Sequence, residues 1–293
     1  MIRAYSELVE TVAIQLPDGT TTSVRLFPGP EHHHENRLDS SRAVVVTVPG
    51  LGIPAGYYEP FAQALVECGF DAAICELAGQ GDSRPRPGPD SEYGYQDIVA
   101  VHFPAMFEAV RERFPVSTPF LLGHSMGGQL GVLYAARIRG RLGGLVLVAS
   151  GTPYYRHFPG VHGPGLLFGS TAMSLTASVA GFWPGDRLGV AGFGRQSRPL
   201  ISDWARLARS GRFEPAGADI DYEERLSRLK LPVLSITIED DDMTPIASAR
   251  HLMEKLPAAD VTTWHLERPL GHNGWLRDNA DTVGRVAAWL RDR

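Results

Sequence analysis

The chain has 293 residues, enough for one large α/β domain or for one domain that carries an insertion. Hydrophobic residues make up 43% of the sequence and charged residues 21%, which is typical of a globular protein in water. The net charge of −5 argues against binding to nucleic acid or to an anionic membrane. The N-terminus lacks a secretion signal, and no apolar run is long enough to cross a membrane. We therefore expect a cytoplasmic protein.

The first 42 residues predict an antiparallel hairpin followed by a polar loop. Residues 8–16 alternate between apolar and polar, Pro17-Asp18-Gly19 is typical of a turn, and residues 20–27 are rich in β-forming side chains. The loop over residues 28–42 contains His32-His33-His34. Three consecutive histidines cannot all face one metal ion, so we interpret them as part of a solvated loop. We expect the protein to use neither a metal nor a cofactor.

After this loop, predicted strands alternate with predicted helices. Apolar and β-branched runs predict strands at residues 43–48, 70–76, 118–122, 142–149, 232–238 and 261–266. Helices are predicted at residues 57–68, 95–114, 129–137, 246–256 and 279–290. Pro104 should kink or break the second of these helices. The alternation predicts right-handed crossovers and a mostly parallel, doubly wound sheet.

The stretch from residue 151 to residue 218 interrupts the alternation. It is rich in glycine, proline and aromatic residues and is only partly periodic. We interpret it as a lid inserted between two strands of a core that residues 1–150 and 219–293 form. Its aromatic side chains and its lack of a cluster of basic residues predict an apolar cleft for a neutral substrate.

The stretch Gly123-His124-Ser125-Met126-Gly127 has the pattern of a nucleophile elbow. It lies between a predicted buried strand and a predicted helix. In such a sharp turn one serine hydroxyl stands above the sheet, and the glycines avoid collisions with neighbouring backbone. Ser125 is therefore the predicted nucleophile. The alternative is a glycine-rich turn with an incidental serine.

A serine nucleophile needs a base and an acid that orients it. Of the ten histidines, only His272 lies in a loop just past the last predicted strand, where catalytic groups of such sheets are found. The exit of the strand before residue 151 has no carboxylate, whereas Asp240, Asp241 and Asp242 follow the strand after the lid. One of these three should orient His272 while another caps the next helix. The order Ser, Asp, His matches that of elbow hydrolases.

The negative charge that develops on the substrate in acyl transfer needs two backbone N–H donors. The N–H of Met126 is the first, because it follows the serine at the start of a helix. The second should come from the glycine-rich loop after the strand at residues 43–48, and we choose the N–H of Leu51.

Taken together, these motifs resemble the α/β-hydrolase superfamily, from about residue 43 to the C-terminus apart from the lid. The motifs are Pro49-Gly50-Leu51-Gly52, Gly123 to Gly128, the acidic turn ending in Pro245, and Gly271-His272. The chain is similar in particular to bacterial hydrolases related to monoacylglycerol lipases and serine aminopeptidase-like proteins. Those commonly carry the motif G-x-x-D-x-x-x-P after the lid. The resemblance implies that Asp241 is the catalytic aspartate and that Pro245 is the motif's proline.

These observations predict a serine hydrolase that cleaves an ester, thioester or lactone of a neutral, apolar small molecule through an acyl-enzyme on Ser125. Acyl transfer to another acceptor, or hydrolysis of a carbon–carbon bond, would use the same residues. A small-molecule receptor that retains the three residues is an alternative of another class. The oligomeric state is not determined by the sequence.

A dinucleotide-binding oxidoreductase is a further alternative. Gly50, Gly52 and Gly56 follow a buried strand, and Glu76 ends the next strand, where a ribose-binding acid could lie. The glycine spacing differs from the dinucleotide motif, and Pro54 removes one N–H from the loop that would bind phosphate.

Overall fold

The computed structural model describes residues 9–30, 42–138, 140–188 and 193–293. Eight strands form one sheet in the order β1-β2-β4-β3-β5-β6-β9-β10, and two form a separate small sheet, β7-β8. The strands are β1 (Glu10–Gln15), β2 (Thr21–Phe27), β3 (Arg42–Val48), β4 (Asp71–Cys75), β5 (Ser117–His124), β6 (Gly144–Val148), β7 (Phe182–Pro184), β8 (Arg195–Ser197), β9 (Pro232–Ile238) and β10 (Asp260–Leu266). The loop with His32-His33-His34 lies outside the described residues.

Helices cover both faces of the large sheet. The α-helices are α1 (Glu59–Glu67), α2 (Tyr95–Asp97), α3 (Phe103–Arg113), α4 (Met126–Ile138), α5 (His162–Ala180), α6 (Gly185–Leu188), α7 (Arg198–Ser210), α8 (Tyr222–Ser227), α9 (Ile246–Glu254) and α10 (Ala280–Arg291). Short 3-10 turns lie at Ala55–Tyr58, Tyr155–His157 and Gly274–Leu276.

Strand β3 illustrates why a continuous apolar run forms a central strand. Val44, Val46 and Val48 belong to the apolar core on one face of the sheet, with α3 and α4. Val45 belongs to the core on the other face, with α1 and α10. Successive side chains of a strand point to opposite faces, so a strand with a core on each face is apolar at nearly every position.

The predicted fold class is confirmed. Strands β3, β4, β5, β6, β9 and β10 are parallel to their neighbours in this group. The N-terminal hairpin β1–β2 pairs antiparallel, and β2 pairs antiparallel with β4. Strand β5, which leads to the elbow, therefore lies near the middle of the sheet, with its carboxyl end at the same edge as those of its parallel neighbours.

The predicted interruption at Pro104 takes the form of a π-helical turn. The chain forms α2, then a π turn over Ile98–His102, then α3, which begins just before the proline. The N–H of Phe103 donates to the carbonyl of Ile98, five residues back. Proline has no N–H and its ring crowds the carbonyl four residues back, so a wider turn at this point relieves both problems.

The segment of residues 151–218, which we call the inserted segment, lies between β6 and β9 and contains α5 to α7 and the small sheet. Helix α5 was not predicted from the sequence. Its 19 residues include no Lys, Arg, Asp or Glu, so it lacks the polar stripe by which a helix is recognised.

No helix of the described residues is long and apolar enough to cross a membrane. The division into core and lid stays a prediction.

Candidate active site

The elbow forms a sharp turn between β5 and α4. Ser125 has a positive φ of 54°, in the left-handed region that side chains other than glycine rarely adopt. The turn is held by hydrogen bonds on both sides. The N–H of Ser125 donates to the carbonyl of Val148 over 3.1 Å, and the N–H of Gly128 donates to the carbonyl of Ser125 over 3.0 Å. The surrounding structure thus stabilises a strained residue.

The two glycines of the pattern have steric causes. A Cβ atom at Gly123 would lie 2.4 Å from Cα of Gly128, and one at Gly127 would lie 2.2 Å from the carbonyl oxygen of Val48. Both contacts are with backbone, which cannot move aside as a flexible side chain can. Only glycine therefore lets α4 approach β3 and β5 this closely.

Ser125, His272 and Asp241 form one hydrogen-bonded set. The Nε2 atom of His272 lies 2.9 Å from Oγ of Ser125, and its Nδ1 atom lies 2.9 Å and 3.0 Å from the two carboxylate oxygens of Asp241. With Nδ1–H donating to the carboxylate, Nε2 is free to accept the serine proton. The structure thus brings together three residues that are 147 and 31 positions apart along the chain.

The acid in this set is held in place by its own turn. Asp241 is 6% exposed, and its Oδ1 accepts the N–H groups of Met243 and Thr244 over 3.0 Å and 2.9 Å. These donors stabilise a buried carboxylate. Asp240 is exposed and has a positive φ of 60°, and Asp242 is exposed on the other side of Asp241. Of the three consecutive aspartates, Asp241 is the one that contacts His272.

The two backbone groups expected to bind developing charge lie beside Ser125. Leu51 and Met126 are buried and line the same cavity as the serine. Neither N–H donates a hydrogen bond to any part of the chain that the structure describes. Met126 opens helix α4, so its N–H has no acceptor within the helix.

A cavity of about 310 Å³ extends from Ser125 into the inserted segment. The segment supplies most of its apolar wall, with Phe158, Leu166, Met173, Phe193 and Trp204. Gly165 and Gly169 of α5 also line it. Asp242 supplies the one carboxylate among the described residues of the wall. The space in front of the serine therefore suits an apolar group better than a charged one.

Sequence reasoning missed the role of His124 and Tyr58. In the structure both side chains are fully buried, and the hydroxyl of Tyr58 lies 2.7 Å from Nδ1 of His124. The two residues are 66 positions apart, and no local pattern indicates such a contact.

The geometry opposes dinucleotide binding. Glu76, the candidate ribose-binding acid, is completely buried, and its carboxylate accepts the N–H of Ala55. Burial raises the pKa of Glu76 above its usual value. A Cβ atom at Gly50 would lie 3.3 Å from atoms of both His124 and Ser125, so the loop after β3 lies close to the elbow. Among the described residues, no group of three His, Cys, Asp or Glu side chains is placed to hold a metal ion.

The sheet order, its parallel centre and the elbow after β5 define the α/β-hydrolase fold. Among solved structures, an esterase of Pyrococcus furiosus has a TM-score of 0.60 and 14% sequence identity, and the match covers 97% of this chain and 91% of that one. At this identity the likeness shows the fold alone.

Sequence comparisons agree with this fold. The serine aminopeptidase S33 family matches residues 39–171. A proline iminopeptidase of Lactiplantibacillus plantarum is 24% identical over 87% of this chain and 94% of its own length. The N-formylmaleamate deformylase of Pseudomonas putida is 33% identical over 45% of this chain and 43% of its own. The protein is a hydrolase of the α/β-hydrolase type.

Proposed function

We propose that the protein is a serine hydrolase that cleaves an ester, thioester or lactone of a neutral, apolar small molecule. The observation that supports it best is the hydrogen-bonded set of Ser125, His272 and Asp241 at the mouth of an apolar cavity. A carboxylic ester is the substrate that this geometry fits most directly.

The chemistry follows from the positions of the groups. Nε2 of His272 accepts the hydroxyl proton while Oγ of Ser125 attacks the carbonyl carbon. The N–H groups of Leu51 and Met126 stabilise the oxyanion, and Asp241 stabilises the imidazolium. Collapse of the intermediate breaks the bond to the leaving group, which receives the proton from His272. Water then hydrolyses the acyl-enzyme by the same steps.

We assign the inserted segment the part of a lid that provides the acyl-binding wall. Its apolar side chains exclude water from the space above Ser125, which strengthens the hydrogen bonds made to the reacting groups. The cytoplasmic location inferred from the sequence stays a prediction.

A second candidate is removal of an N-terminal amino acid, and Asp242 favours it. A free amino terminus requires a nearby anion, and Asp242 is the one carboxylate among the described residues of the cavity wall. Asp242 is exposed to solvent, which weakens its attraction for an ammonium group. We therefore place this candidate after ester hydrolysis.

A panel of chromogenic substrates tests both candidates. We expect p-nitrophenyl butyrate and hexanoate to be hydrolysed at least about tenfold faster, in kcat/KM, than prolyl and alanyl p-nitroanilides. Faster turnover of the anilides, lost in Asp242→Asn, would favour the aminopeptidase. Addition of a primary alcohol would reveal acyl transfer as a new ester product. Absence of turnover of any acyl substrate, with no labelling of Ser125 by a fluorophosphonate, would favour a receptor.

A further inference from the structure

Three hydrogen bonds connect the loop after β3, the elbow and the loop of His272. The N–H of Gly50 donates to the hydroxyl oxygen of Tyr58 over 2.9 Å. That hydroxyl lies 2.7 Å from Nδ1 of His124, and Nε2 of His124 lies 3.1 Å from the backbone carbonyl oxygen of His272. We call this chain of hydrogen bonds the Tyr58–His124 relay.

The two ends of the relay determine the direction of every hydrogen bond in it. The carbonyl of His272 can only accept, so Nε2 of His124 carries the proton and donates. Its Nδ1 is then unprotonated and accepts the Tyr58 hydroxyl proton. The hydroxyl oxygen in turn accepts the N–H of Gly50, which can only donate. Each polar group of the Tyr58–His124 relay is therefore satisfied in a single tautomer of His124.

Burial keeps the relay neutral. Both side chains are completely buried, which lowers the pKa of His124 well below its usual value and raises that of Tyr58. The charged neighbours act in the same sense. His272 lowers the pKa of His124 when it is protonated, and Glu76 raises the pKa of Tyr58. His124 thus presents no second positive charge to the imidazolium that forms on His272.

Ring packing holds the two side chains independently of their hydrogen bonds. The ring centroid of Trp275 lies 5.2 Å from that of His124 and 6.4 Å from that of Tyr58, edge-on in both cases. The rings of His124 and His272 lie 4.9 Å apart. Removing only the Tyr58 hydroxyl should therefore leave the ring where it is.

We propose that Tyr58 and His124 are positioning residues that hold the oxyanion loop and the catalytic base in register with the nucleophile. Each end of the relay lies next to a group that the proposed function uses. Gly50 shares a peptide unit with the N–H of Leu51, His124 directly precedes Ser125, and the accepting carbonyl belongs to His272 itself. The inference rests on the proposed function. Small displacements of reacting groups are costly in catalysis, and the relay opposes them at three places.

Tyr58→Phe is the direct test, because it removes the hydroxyl and keeps the ring. We expect kcat for p-nitrophenyl butyrate to fall by about 10- to 100-fold while KM changes by less than about threefold, since the loss affects alignment and not the cavity wall. The rate at which a fluorophosphonate labels Ser125 should fall in parallel.

Tyr222→Phe is the matched control for stability. Tyr222 is also buried, and its hydroxyl donates to Oε1 of Gln96 over 2.7 Å. Both variants lose one buried hydroxyl, so their thermal midpoints should fall by similar amounts. Only Tyr58→Phe should lose labelling rate. Equal rates in the wild type and Tyr58→Phe, or equal losses in Tyr58→Phe and Tyr222→Phe, would overturn the inference.

Variants of His124 separate the two arms of the relay. In His124→Gln, the amide nitrogen can still donate to the carbonyl of His272. In His124→Leu, the side chain can neither donate to that carbonyl nor accept the hydroxyl proton of Tyr58. We expect the glutamine variant to label faster than the leucine variant. Adding Tyr58→Phe to His124→Leu should lower the labelling rate little further, because the Tyr58–His124 relay is already interrupted. Additive losses would overturn the inference.

Failure of this inference and failure of the proposed function give different results. If the wild type is labelled at Ser125 and the relay variants behave like Tyr222→Phe, only the relay is wrong. If Ser125 of the wild type is not labelled, the proposed function is wrong, and the inference falls with it.

Discussion

Glycines occur on two helices of this protein for opposite physical reasons. On α4, a Cβ atom at Gly127 or Gly128 would lie 2.2 Å or 2.1 Å from a neighbouring atom. On α5, a Cβ atom at Gly165 or Gly169 would meet nothing within 4 Å, although both glycines line the cavity. Gly127 and Gly128 of α4 allow close contact with neighbouring atoms, whereas Gly165 and Gly169 of α5 leave space in the cavity that Ser125 lines.

The two sets of glycines meet two different requirements of the proposed function. The α4 side must hold the reacting groups rigidly. Its glycines pack too closely for a Cβ atom, and its backbone is strained at Ser125. The α5 side must admit a substrate, and glycine in a helix costs stability relative to alanine. The expected effects of substitutions therefore differ in sign as well as in size.

The largest expected effect is that of Ser125→Ala, on the α4 side. Loss of the nucleophile in such a set commonly costs about 10⁶ in kcat. We expect labelling by a fluorophosphonate to disappear while circular dichroism remains that of the wild type. A folded Ser125→Ala protein that is labelled as well as the wild type would show that another residue is the nucleophile.

Asp241→Asn should have the next largest effect. The substitution disturbs the tautomer and orientation of His272, and such a change costs about 10⁴ in kcat elsewhere. Asp242→Asn is the control, because Asp242 is an exposed neighbour, and Nδ1 of His272 is hydrogen-bonded to Asp241 instead. We expect it to retain ester hydrolysis within about threefold. If Asp242→Asn loses more activity than Asp241→Asn, the assignment of the acid is wrong.

Alanine at the two kinds of glycine should change stability in opposite directions. Gly127→Ala forces a Cβ against the carbonyl of Val48, so the free energy of unfolding should fall by about 1–3 kcal/mol or more. Gly169→Ala should raise it by about 0.5–1 kcal/mol, because the site is open and helical.

Gly284→Ala on α10 is the control for this pair. It is also helical, and a Cβ there meets nothing within 4 Å, but it does not line the cavity. It should stabilise the protein as much as Gly169→Ala does. Denaturation in urea gives all three values. A stabilised Gly127→Ala would contradict the steric account of the elbow.

The smallest effect concerns substrate length. Each methylene buried in the transition state should contribute about 0.8 kcal/mol, or about fourfold in kcat/KM, until the cavity is full. Rates with p-nitrophenyl esters should rise from acetate towards medium chains. Gly169→Leu should shift the optimum to shorter chains, whereas Gly284→Leu should not. A flat series, or a preference for charged acyl groups, would contradict the proposed apolar cavity.

Much of the fold could be predicted because short contiguous stretches of the sequence carry its pattern. The valine run of β3 is apolar on both faces, since a central strand has a core on each side. Helix α5 could not be predicted, because one face lines a cavity and residues such as Phe168 and Val179 are apolar yet 78% and 91% exposed. Without a polar stripe, its sequence has no helical period.

The candidate site also contains residues that could be predicted from the sequence and one that could not. The sequence pointed to Ser125 and His272 through a steric pattern and a position in the topology. It left Asp240, Asp241 and Asp242 open, and only the resemblance favoured Asp241. In the structure, Asp240 takes the positive φ of the turn, and two N–H groups hold the Asp241 carboxylate towards His272.

The sequence by itself determined the order of the candidate site residues along the chain, the elbow pattern and the alternation of apolar segments, because a contiguous stretch of residues is enough to recognise each of them. Only the tertiary structure decided which aspartate contacts His272, how wide the space beside α5 is, and that Tyr58 and His124 join three loops. These features depend on contacts between residues far apart along the chain, and a contact of that kind leaves no mark in the local pattern.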